Sequence, residues 1–435
     1  MRDRDFNKIR DLKITPNYLS GPDGSCLVEM GNTKIIVTAM IEDKVPFFLK
    51  GQGVGWLSAE YSMIPGSTQR RKPRDISRGK IDGRSQEIQR LIGRSLRSAI
   101  DLSLIGERTI WIDCDVISAD GGTRTLSVTG GFVALKLAIN KYLKEKLLFA
   151  NPIKRRVAAI SLGKVYGRLL VDLDFNDDSK ADVDINIVMD EDHNIIEIQG
   201  TSEKTPLKIK ELDELVKLAE ETIDEIMKIV EDTVPSENYL VLSTDNVHKI
   251  KEMESILSDV DLIIESKSDV GLENLEVDED QETLEGNARK KAEEIAKLVG
   301  YKNVISDDTG LFVNALDGEP GVHSARYCGD HDDKKNIEKI LEKLQDKEDR
   351  NAYFQTSIAL VEPNKEVKLF SGRIDGTIAF EEKGEEGFGY DSVFIPKGYD
   401  KTFAELGDEE KNKISHRAIA TENLKSYLKY KYRKN

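Results

Sequence analysis

Arginines and glycines that could together bind phosphate lie in the first half of this 435-residue sequence. Guanidinium groups at Arg84 and Arg124 could neutralise and orient two anionic reactants, such as a phosphodiester and inorganic phosphate. Gly121 and Gly122 let the backbone come close, so that main-chain N–H groups can contribute to an anion-binding cradle. A plain turn would show the same residues, and on spacing alone both interpretations stay open.

Acidic residues later in the first half could bind a metal ion or transfer a proton. Asp178 follows an expected strand, and Asp182, Asp184 and Asn186 share one face of the next strand because side chains alternate. Asp178 and Asp184 could hold magnesium, and one of them could protonate a leaving oxygen. A solvated strand edge explains the same spacing.

A strand–loop–helix pattern opens the second half, where the strand ending at Leu242 leads through residues 243–249 into an expected helix at 250–257. Phosphates favour this arrangement because the free N–H groups and the dipole of the helix point at a bound anion. The glycine-rich spacing of a Walker loop is absent. An ordinary helix cap is the alternative interpretation.

Further along, two groups of polar residues stand out, and the second of them could bind a metal ion. Asn287 and Lys291 stand four residues apart and share one face of an expected helix, with Glu279 just upstream. Asp307 and Asp308 are expected where a strand turns into a loop, an arrangement that suits magnesium coordination and activation of water. Surface polar residues and a turn would produce the same pattern.

These residues must be positioned by helices and strands, and the length of the chain favours two large domains. A hairpin is predicted around Gly31-Asn32. The expected strands of the first half are 25–30, 33–41, 110–118, 157–165, 169–175 and 183–189. The expected helices are 85–102, 128–147 and 210–231. Pro235 ends the last helix, and an apolar strand at 239–242 follows at once, so the domain boundary is expected there.

Charge is distributed unevenly along the chain. The formal net charge is −16, of which −14 falls in residues 237–435, whereas the first hundred residues carry +7. A basic run in this first part could hold RNA phosphates, or it could be a solvated loop. Its members are Arg70, Arg71, Lys72, Arg74, Arg78 and Lys80.

The cysteines and the apolar segments indicate where the protein works. Cys26, Cys114 and Cys328 are odd in number and far apart, which argues against a disulfide framework and against zinc spacing. The N-terminus lacks the apolar run of a signal peptide, and no segment approaches the length of a membrane span. We therefore expect a soluble cytoplasmic protein that binds no membrane.

The first half closely resembles the ribonuclease PH family over essentially residues 1–235. Three strings carry the resemblance, namely GQGVGWLSAEY from Gly51, EIQRLIGR from Glu87 and DCDVISADGGTRT from Asp113. The resemblance implies phosphorolysis, in which phosphate rather than water attacks the last phosphodiester of a tRNA precursor and releases a nucleoside diphosphate.

The same resemblance implies roles for individual residues. The phosphate-binding set is Arg84, Gly122, Thr123 and Arg124, while Asp178 and Asp184 serve metal and acid roles. Residues 70–74 support ring assembly or RNA contact, because the family forms hexameric rings. Gly66 departs from the family, which usually has arginine there.

The second half is similar to the inosine/xanthosine triphosphate pyrophosphatase family from about Tyr239 onward. The strings are PGVHSARY from Pro320, GFGYD from Gly387, and Lys411 before ISHR from Ile414. The resemblance implies magnesium-dependent cleavage of dITP, ITP or XTP to a monophosphate and pyrophosphate, with preference for purines that carry a 6-oxo group and lack the amino group of guanine.

The second resemblance implies that Glu279 and Asp308 hold the metal ion, that Asp308 is also the catalytic base, and that Phe388 stacks on the purine. Asp391, His416 and Arg417 are implied to read its polar edge. The implied nucleotide-binding residues are Thr244, Asp245, Asn246, Val247, His248, Lys249, Lys291, Thr309, Phe388, Gly389, Tyr390, Asp391, Lys411, His416 and Arg417. The departures from the family are Gln281 and Gly286, where glycine and glutamate are usual, and Ser392, where proline is usual.

We therefore predict an α/β (α+β) chain of two domains. Residues 1–235 are expected to form a ribonuclease PH-type domain of mixed sheet and helices, and residues 239–435 an ITPase-type α/β domain with a central mixed sheet and a cleft. The expected cofactor is magnesium, with inorganic phosphate as co-substrate. The expected partners are tRNA precursors and other RNA 3′ ends, purine nucleoside triphosphates, and further copies of the chain in a hexameric ring through the first domain, with dimer contacts through the second as a further option.

Two other functions stay open at this point. The first domain could be a noncatalytic RNA-binding ring, although Arg84, Arg124, Asp178 and Asp184 argue for catalysis. The second domain could be a nucleotide sensor, although phosphate, metal and base residues occur together.

Overall fold

The chain folds as two compact units, Met1–Ser236 and Glu237–Asn435. The computed structural model describes residues 4–74, 79, 82–235, 238–329, 332–384 and 387–431. Arg78 and Lys80 of the predicted basic run lie outside these residues. Within the described ranges, no helix combines the length and the apolar character needed to cross a bilayer.

In the first unit, one sheet has the strand order β1-β2-β3-β5-β4, with β4 and β5 parallel and the other neighbours antiparallel. Its strands are β1 (Leu12–Pro16), β2 (Gly24–Met30), β3 (Thr33–Glu42), β4 (Trp56–Met63) and β5 (Thr109–Ser118). The predicted hairpin is β2–β3, and Gly31 takes a φ of 56° at its turn. Alternating residues of β3, namely Ile35, Val37 and Ala39, are fully buried, which makes one face of this sheet part of the core.

Another sheet of the first unit has the antiparallel order β7-β6-β8-β9. Its strands are β6 (Val157–Val165), β7 (Arg168–Val171), β8 (Val183–Asp190) and β9 (Ile195–Ser202). The helices of this unit are α1 (Gly83–Ala99), α2 (Thr123–Lys144), α3 (Phe175–Asp178) and α4 (Ile209–Thr233).

Helix α2 packs against both sheets and is buried along most of its length. At Gly130 a Cβ atom would lie 2.7 Å from Val28 and 2.9 Å from Val37, so glycine lets the helix approach β2 and β3 closely. Helix α2 is therefore packed tightly between the two sheets.

Several predicted boundaries in the first unit are wrong, among them the end of the helix predicted at 128–147, which stops at Lys144. Helix α1 ends at Ala99 rather than 102, because Ile100 is extended and pairs with Ile153. Helix α2 begins at Thr123 rather than 128, directly after the glycine turn. The strand predicted at 169–175 ends at Val171, because Asp172 adopts a φ of 53°, which extended backbone does not allow.

In the second unit, the sheet has the order β11-β10-β12-β14-β15-β16, and β13 also pairs with β12. Strand β10 is parallel to β11 and β12, and the other pairs are antiparallel. The strands are β10 (Tyr239–Leu242), β11 (Ile263–Glu265), β12 (Asn303–Val313), β13 (Pro320–Gly321), β14 (Asn351–Val361), β15 (Val367–Ile378) and β16 (Phe394–Pro396).

The helices of the second unit cover this sheet. They are α5 (Val247–Leu257), α6 (Leu284–Ala296), α7 (Asp333–Lys343), α8 (Phe403–Ile414) and α9 (His416–Lys431). Leu242, Ile305 and Leu424 pack together in one part of the core, and Val241, Ala292 and Val304 in another. Both parts include side chains from β10 and β12, so the strands that lead to the predicted site residues are buried between helices.

The turn predicted at Asp307 and Asp308 is wrong. Strand β12 continues through both residues to Val313 and is paired with β14 from Val304 to Val313. The two acids are therefore held by a continuous ladder of the sheet.

Candidate active sites

The glycine turn before α2 presents free backbone donors. Gly121 and Gly122 have φ values of 80° and 67°, and Gly122 caps the helix without a side-chain hydrogen bond. The first N–H groups of an α-helix have no partner inside the helix, so they are available to an anion. Thr123 and Arg124 are the first helical residues, and the Thr123 hydroxyl lies 2.9 Å from the Tyr61 hydroxyl.

A buried ion pair between Arg10 and Asp172 holds the backbone of this turn in place. Arg10 donates from Nε to Asp172 Oδ2 at 2.8 Å, and its guanidinium also donates to the Asp120 carbonyl. Arg4 also donates to the Asp172 carbonyl and pairs with Asp174, which caps α3. The start of α2 and the start of α3 are thereby held together. Sequence reasoning missed this pair, because 162 positions separate its members and no local pattern connects them.

The predicted phosphorolysis residues meet in one cleft. Arg84 in the first turn of α1 and Arg124 at the start of α2 line a cavity of about 350 Å³ together with Asp178 and Asp184. Asp178 lies at the end of α3 rather than at a strand end, and Asp184 lies on β8. Two cations and two carboxyl groups therefore converge from four elements.

Other residues of the first unit differ from expectation. Asp182 does not line this cleft, although strand alternation predicted that it would share a face with Asp184. Lys72, predicted to contact RNA or to support assembly, lines the cleft, and its Nζ lies 3.9 Å from Asp82 Oδ2. Gly66, the departure from the family pattern, is exposed and has open space around its Cβ position.

The two carboxyl groups of the cleft are harder to ionise than usual. Burial, assisted by the nearby charge of Asp178, raises the pKa of Asp184 to about 6 although the two arginines oppose the shift. Burial also raises the pKa of Asp178, against the lowering effect of Arg84 and Arg124. A carboxyl group with a pKa near neutrality can donate a proton at the pH of a cell.

In the second unit, the loop before α5 brings Lys249 to the sheet. The Asn246 side chain caps α5 by accepting from the backbone N–H groups of His248 and Lys249. Lys249 Nζ donates to Asp307 Oδ2 at 3.0 Å. Asp245 is directed away from this contact, since its carboxylate accepts from the backbone and the hydroxyl of Ser268.

The adjacent acids of β12 have different partners. Asp307 accepts from Lys249 and, at 3.2 Å, from Arg417 Nε. Asp308 accepts from Asn287 Nδ2 at 3.0 Å and lies 3.5 Å from Lys291 Nζ. Successive side chains of a strand point to opposite faces, so each acid has its own set of cations. Lys249 and Arg417 lower the pKa of Asp307 despite its burial, whereas burial raises the pKa of Asp308.

Glu279 and Asp308 converge on one ammonium group. Lys291 Nζ lies 2.8 Å from Glu279 Oε1 as well as near Asp308, and Arg326 holds the Glu279 carbonyl. Within the described ranges, no group of three or more His, Cys, Asp or Glu side chains is placed to hold a metal. Magnesium often uses one or two carboxylates and completes its shell with water and substrate phosphates, so this oxygen pair fits it.

The two departures beside this pair are structurally linked. A Cβ atom at Gly286 would lie 2.9 Å from the Cβ of Gln281, so a larger residue at 286 would collide with the glutamine. Gln281 keeps its backbone contact, since its N–H donates to Asn287 Oδ1 at 3.0 Å. The exchange therefore leaves Asn287 in place beside Asp308. Ser392, the third departure, donates from its hydroxyl to Glu382 at 3.2 Å.

An aromatic ring and several charges form the far end of this site. Lys411 Nζ lies 4.3 Å from the centre of the Phe388 ring and 2.6 Å from Asp391 Oδ2. Arg417 lies 5.5 Å from the same ring while it pairs with Asp307, and the ring of His248 is 6.0 Å away. The structure thus places Lys411 with the predicted base-reading residues.

Most of the other predicted nucleotide-binding residues have contacts within the unit, and one is exposed. His416 is buried, stacks on Phe354 at 4.6 Å and is kept neutral by a pKa well below its usual value, chiefly through burial. Tyr390 is buried and donates to the Ser324 carbonyl, and Thr309 bonds to the Thr356 hydroxyl. Val247 is exposed, the Thr244 hydroxyl accepts from the Asn246 N–H, and the Gly389 N–H donates to Asp333.

Sequence reasoning missed Glu252 in this unit. Its carboxylate accepts from Arg417 Nη1 at 2.8 Å and from the Ser415 hydroxyl. Glu252 and Arg417 are both buried, so Glu252 fixes the orientation of the guanidinium. An acid on the inner face of α5 was the available sequence signal, and it gives no indication of a partner 165 positions away.

Each of the two units thus brings cations and carboxylates together, in the first unit around a cleft and in the second at β12. Residues 8–139 and 156–222 match the models of domains 1 and 2 of the 3′ exoribonuclease family, and residues 240–427 match the model of the Ham1 family. The chain is 55% identical over 217 residues to ribonuclease PH of Neisseria meningitidis, which covers 50% of this chain and 90% of that protein.

Two solved structures align with the second unit. The Ham1 protein of Staphylococcus aureus is 41% identical and covers 44% of this chain and 99% of its own, with a TM-score of 0.41. A nucleoside-triphosphatase, or dITP/XTP pyrophosphatase, of Mycobacterium abscessus is 39% identical and covers 43% and 98%, with a TM-score of 0.37.

The chain belongs to the ribonuclease PH family through its first unit and to the Ham1 family through its second. These matches confirm both predicted resemblances. Both are families of enzymes. The first family cleaves RNA with inorganic phosphate, and the second hydrolyses nucleoside triphosphates with a divalent metal ion.

Proposed function

We propose that this chain is a bifunctional enzyme. Its first domain, residues 1–235, removes nucleotides from the 3′ ends of tRNA precursors and other RNAs by phosphorolysis and releases nucleoside diphosphates. Its second domain, residues 239–435, hydrolyses dITP, ITP and XTP to the monophosphate and pyrophosphate, with magnesium as cofactor.

The convergence of Arg84 and Arg124 with Asp178 and Asp184 in one cleft supports phosphorolysis most strongly. The guanidinium groups and the N–H groups of α2 hold inorganic phosphate against the anionic phosphodiester. A phosphate oxygen forms the new bond to phosphorus, and the bond to the 3′-oxygen of the preceding nucleotide breaks. Asp184, whose pKa is raised to about 6, donates its proton to that oxygen. These contacts favour catalysis over a noncatalytic ring.

The different surroundings of the two adjacent acids of β12 support triphosphate hydrolysis. Lys249 and Lys291 bind the phosphates, and Asp308, oriented by Asn287, accepts the proton of the attacking water. Glu279 and Asp308 hold magnesium, which neutralises phosphate charge when bound. Hydrolysis explains the separate placement of a base, which a nucleotide sensor would not need.

The Phe388 end of the site supports selection of the base. The ring stacks on the purine, Asp391, Lys411 and Arg417 contact its polar edge, and His416 supports Phe354 from within the core. Arg417 has only donors to offer, so it favours a 6-oxo group over the 6-amino group of adenine.

The same proposal includes the oligomeric state of the chain and its location in the cell. The first unit forms a hexameric ring in which Arg70, Arg71, Lys72 and Arg74 support subunit or RNA contacts. Dimer contacts through the second unit are an additional option. The free thiols of Cys26, Cys114 and Cys328 fit the reducing cytoplasm.

Product analysis with reciprocal variants tests both activities. The purified chain, incubated with a tRNA precursor, is expected to release nucleoside diphosphates only when phosphate is added. With ITP and magnesium it is expected to give the monophosphate and pyrophosphate. Arg124→Ala should lower only phosphorolysis, and Asp308→Asn only hydrolysis, each by roughly a hundredfold or more.

Arg90→Ala and Asp346→Asn are matched controls, because both residues are exposed and lie outside the two sites. Neither control should change either rate. Equal RNA shortening without phosphate, with release of monophosphates, would reject phosphorolysis. Loss of both activities in one folded site variant would show that the sites are not independent.

A further inference from the structure

A second cleft borders the proposed phosphate cleft of the first unit. It has a volume of about 440 Å³ and shares Arg124, Asp184 and Asn186 with the phosphate cleft. Glu87, Gln199 and Thr201 complete its polar lining. A substrate that occupies both clefts must therefore pass Asp184 and Asn186.

Asn186 is buried at this border, and its amide group is left without a bond. The residue is 5% exposed and lines both clefts. Its side chain makes no hydrogen bond to any other residue that the structure describes. The amide atoms of Asn186 are not fully enclosed, so they open onto the clefts and can bond to a ligand there.

Gln199 lies beside Asn186 and also has a polar atom that bonds to none of the described residues. Asn186 and Gln199 are direct partners across β8 and β9, which places their side chains on one face of the sheet. Gln199 Nε2 donates to Glu197 at 3.1 Å, while its buried Oε1 accepts no hydrogen bond from the described residues. The wall of the cleft thus offers both donors and acceptors to a ligand.

The position of Asn186 relative to Asp184 indicates which ligand group it meets. The two residues are two positions apart on β8, so their side chains lie side by side, about 6.6 Å apart along the strand. In the proposed reaction Asp184 protonates the 3′-oxygen that leaves phosphorus. The nearest polar group on the same sugar is the 2′-hydroxyl, which can both donate and accept a hydrogen bond.

We propose that the second cleft binds the ribose whose 3′-oxygen leaves, which is the penultimate ribose of the RNA, and that Asn186, assisted by Gln199, binds its 2′-hydroxyl. This inference rests on the proposed phosphorolysis and extends it to the choice of RNA over DNA at one sugar. The terminal ribose, which departs in the diphosphate, is not bound by these amides.

Three single-stranded oligonucleotides test this assignment with the full-length chain and saturating phosphate. One is all RNA, one carries a single 2′-deoxy sugar at the penultimate position, and one carries it at the terminal position. The kcat/KM for the first diphosphate released is measured for each. We expect the penultimate deoxy sugar to lower kcat/KM of the unmodified chain roughly three- to tenfold, as loss of one neutral hydrogen bond does.

Asn186→Ala is expected to lower kcat/KM for the all-RNA substrate and to remove most of the penalty at the penultimate sugar. Its penalty at the terminal sugar should equal that of the unmodified chain. Gln199→Ala should reduce the penultimate penalty in part, and Gln86→Ala, an exposed glutamine of α1, should leave every ratio unchanged.

The outcomes separate this inference from the function on which it rests. If the unmodified chain releases no diphosphate from the all-RNA substrate, the proposed phosphorolysis is wrong. If it does, but Asn186→Ala slows all three substrates by the same factor, Asn186 has only a structural role and the inference is overturned. Loss of the terminal rather than the penultimate penalty would also overturn it.

Discussion

Counter-ions decide how the buried aspartates of this chain ionise. Asp307 has Lys249 and Arg417 within 3.2 Å, and these cations lower its pKa in spite of burial. Asp184 has no such contact with a cation among the described residues, and burial together with Asp178 raises its pKa to about 6. The first aspartate therefore remains a fixed negative charge, whereas the second can exchange a proton near neutral pH.

The raised pKa of Asp184 predicts a pH-dependent cost in stability. The folded state holds this proton up to a higher pH than the unfolded state, so ionisation destabilises the first unit as pH rises from about 4 to 6. Asp184→Asn removes that effect. The free energy of unfolding of the variant, relative to the unmodified chain, should increase between pH 4 and pH 7 by roughly 2 to 3 kcal/mol.

Urea unfolding followed by tryptophan fluorescence measures this difference in the intact chain, because Trp56 and Trp111 are its two tryptophans and both lie in the first unit. Asp192→Asn, at an exposed position, is the control and should show little change with pH. An Asp184→Asn effect of the same size at pH 4 and pH 7 would show that Asp184 is ionised normally.

At the scale of elements, the phosphate cleft depends on how α2 and α3 begin. A Cβ atom at Gly121 would lie 2.3 Å from the Leu173 carbonyl and 2.8 Å from Asp174, so the turn before α2 lies directly against the chain that leads into α3. Arg10 and Asp172 hold the same two segments. The separation of Arg124 from Asp178 is thus set by backbone packing as well as by charge.

Gly121→Ala is expected to disturb this packing. Alanine at Gly106, where φ is 65° and the Cβ position is open, costs about 1 kcal/mol for the left-handed backbone alone. Gly121→Ala adds a collision with backbone and should cost roughly 3 kcal/mol or more, with a higher KM for phosphate. Urea unfolding and phosphate-dependent kinetics compare the two variants, and equal losses would contradict the proposed packing role.

Local patterns predict elements well where periodicity and turn residues agree. The β2–β3 hairpin, β10 and α4 follow from alternation, from Gly31-Asn32 and from a regular apolar stripe. The turn predicted at Asp307 and Asp308 fails because acids and a following glycine indicate a loop, whereas distant cations from α5, α6 and α9 neutralise them inside a strand.

For the candidate sites too, residues can be predicted from the sequence only where a local pattern marks them. Arg124 could be selected from the sequence because it lies in a family string, and Arg84 and Lys249 because their residue type suits an anion and the resemblances imply roles for them. Arg10, Asp172 and Glu252 could not, because their function is to hold another residue in place and their partners lie more than 100 positions away. The two family assignments and the α/β class are confirmed, while the roles of individual site residues remain predictions.

At the scale of the whole molecule, the described contacts of each site come from one unit. The described partners of Arg10, Arg124 and Asp184 lie within the first unit, and those of Lys249, Asp308 and Arg417 within the second. Most of the net negative charge lies in the second unit, so the basic residues of the first remain suited to RNA.

Separate expression of residues 1–236 and 237–435 is therefore expected to preserve both activities. Each fragment should retain its own kcat/KM within about threefold of the intact chain, because compact domains with their own cores fold independently. Phosphorolysis and ITP hydrolysis assays check this result, and an equimolar mixture of the fragments is the control. A fragment that folds but is inactive until the other is added would show that one site depends on both units.

The opposite orientation of Asp307 and Asp308 has a consequence for which length changes the second unit can accept. Inserting or deleting a single residue in β12 ahead of this pair would turn both side chains over, so the permanent anion would face α6 and the proton acceptor would face α5 and α9. Loops that connect the strands can vary in length without this exchange. Related chains should therefore differ in length around this strand but keep the count of residues within it.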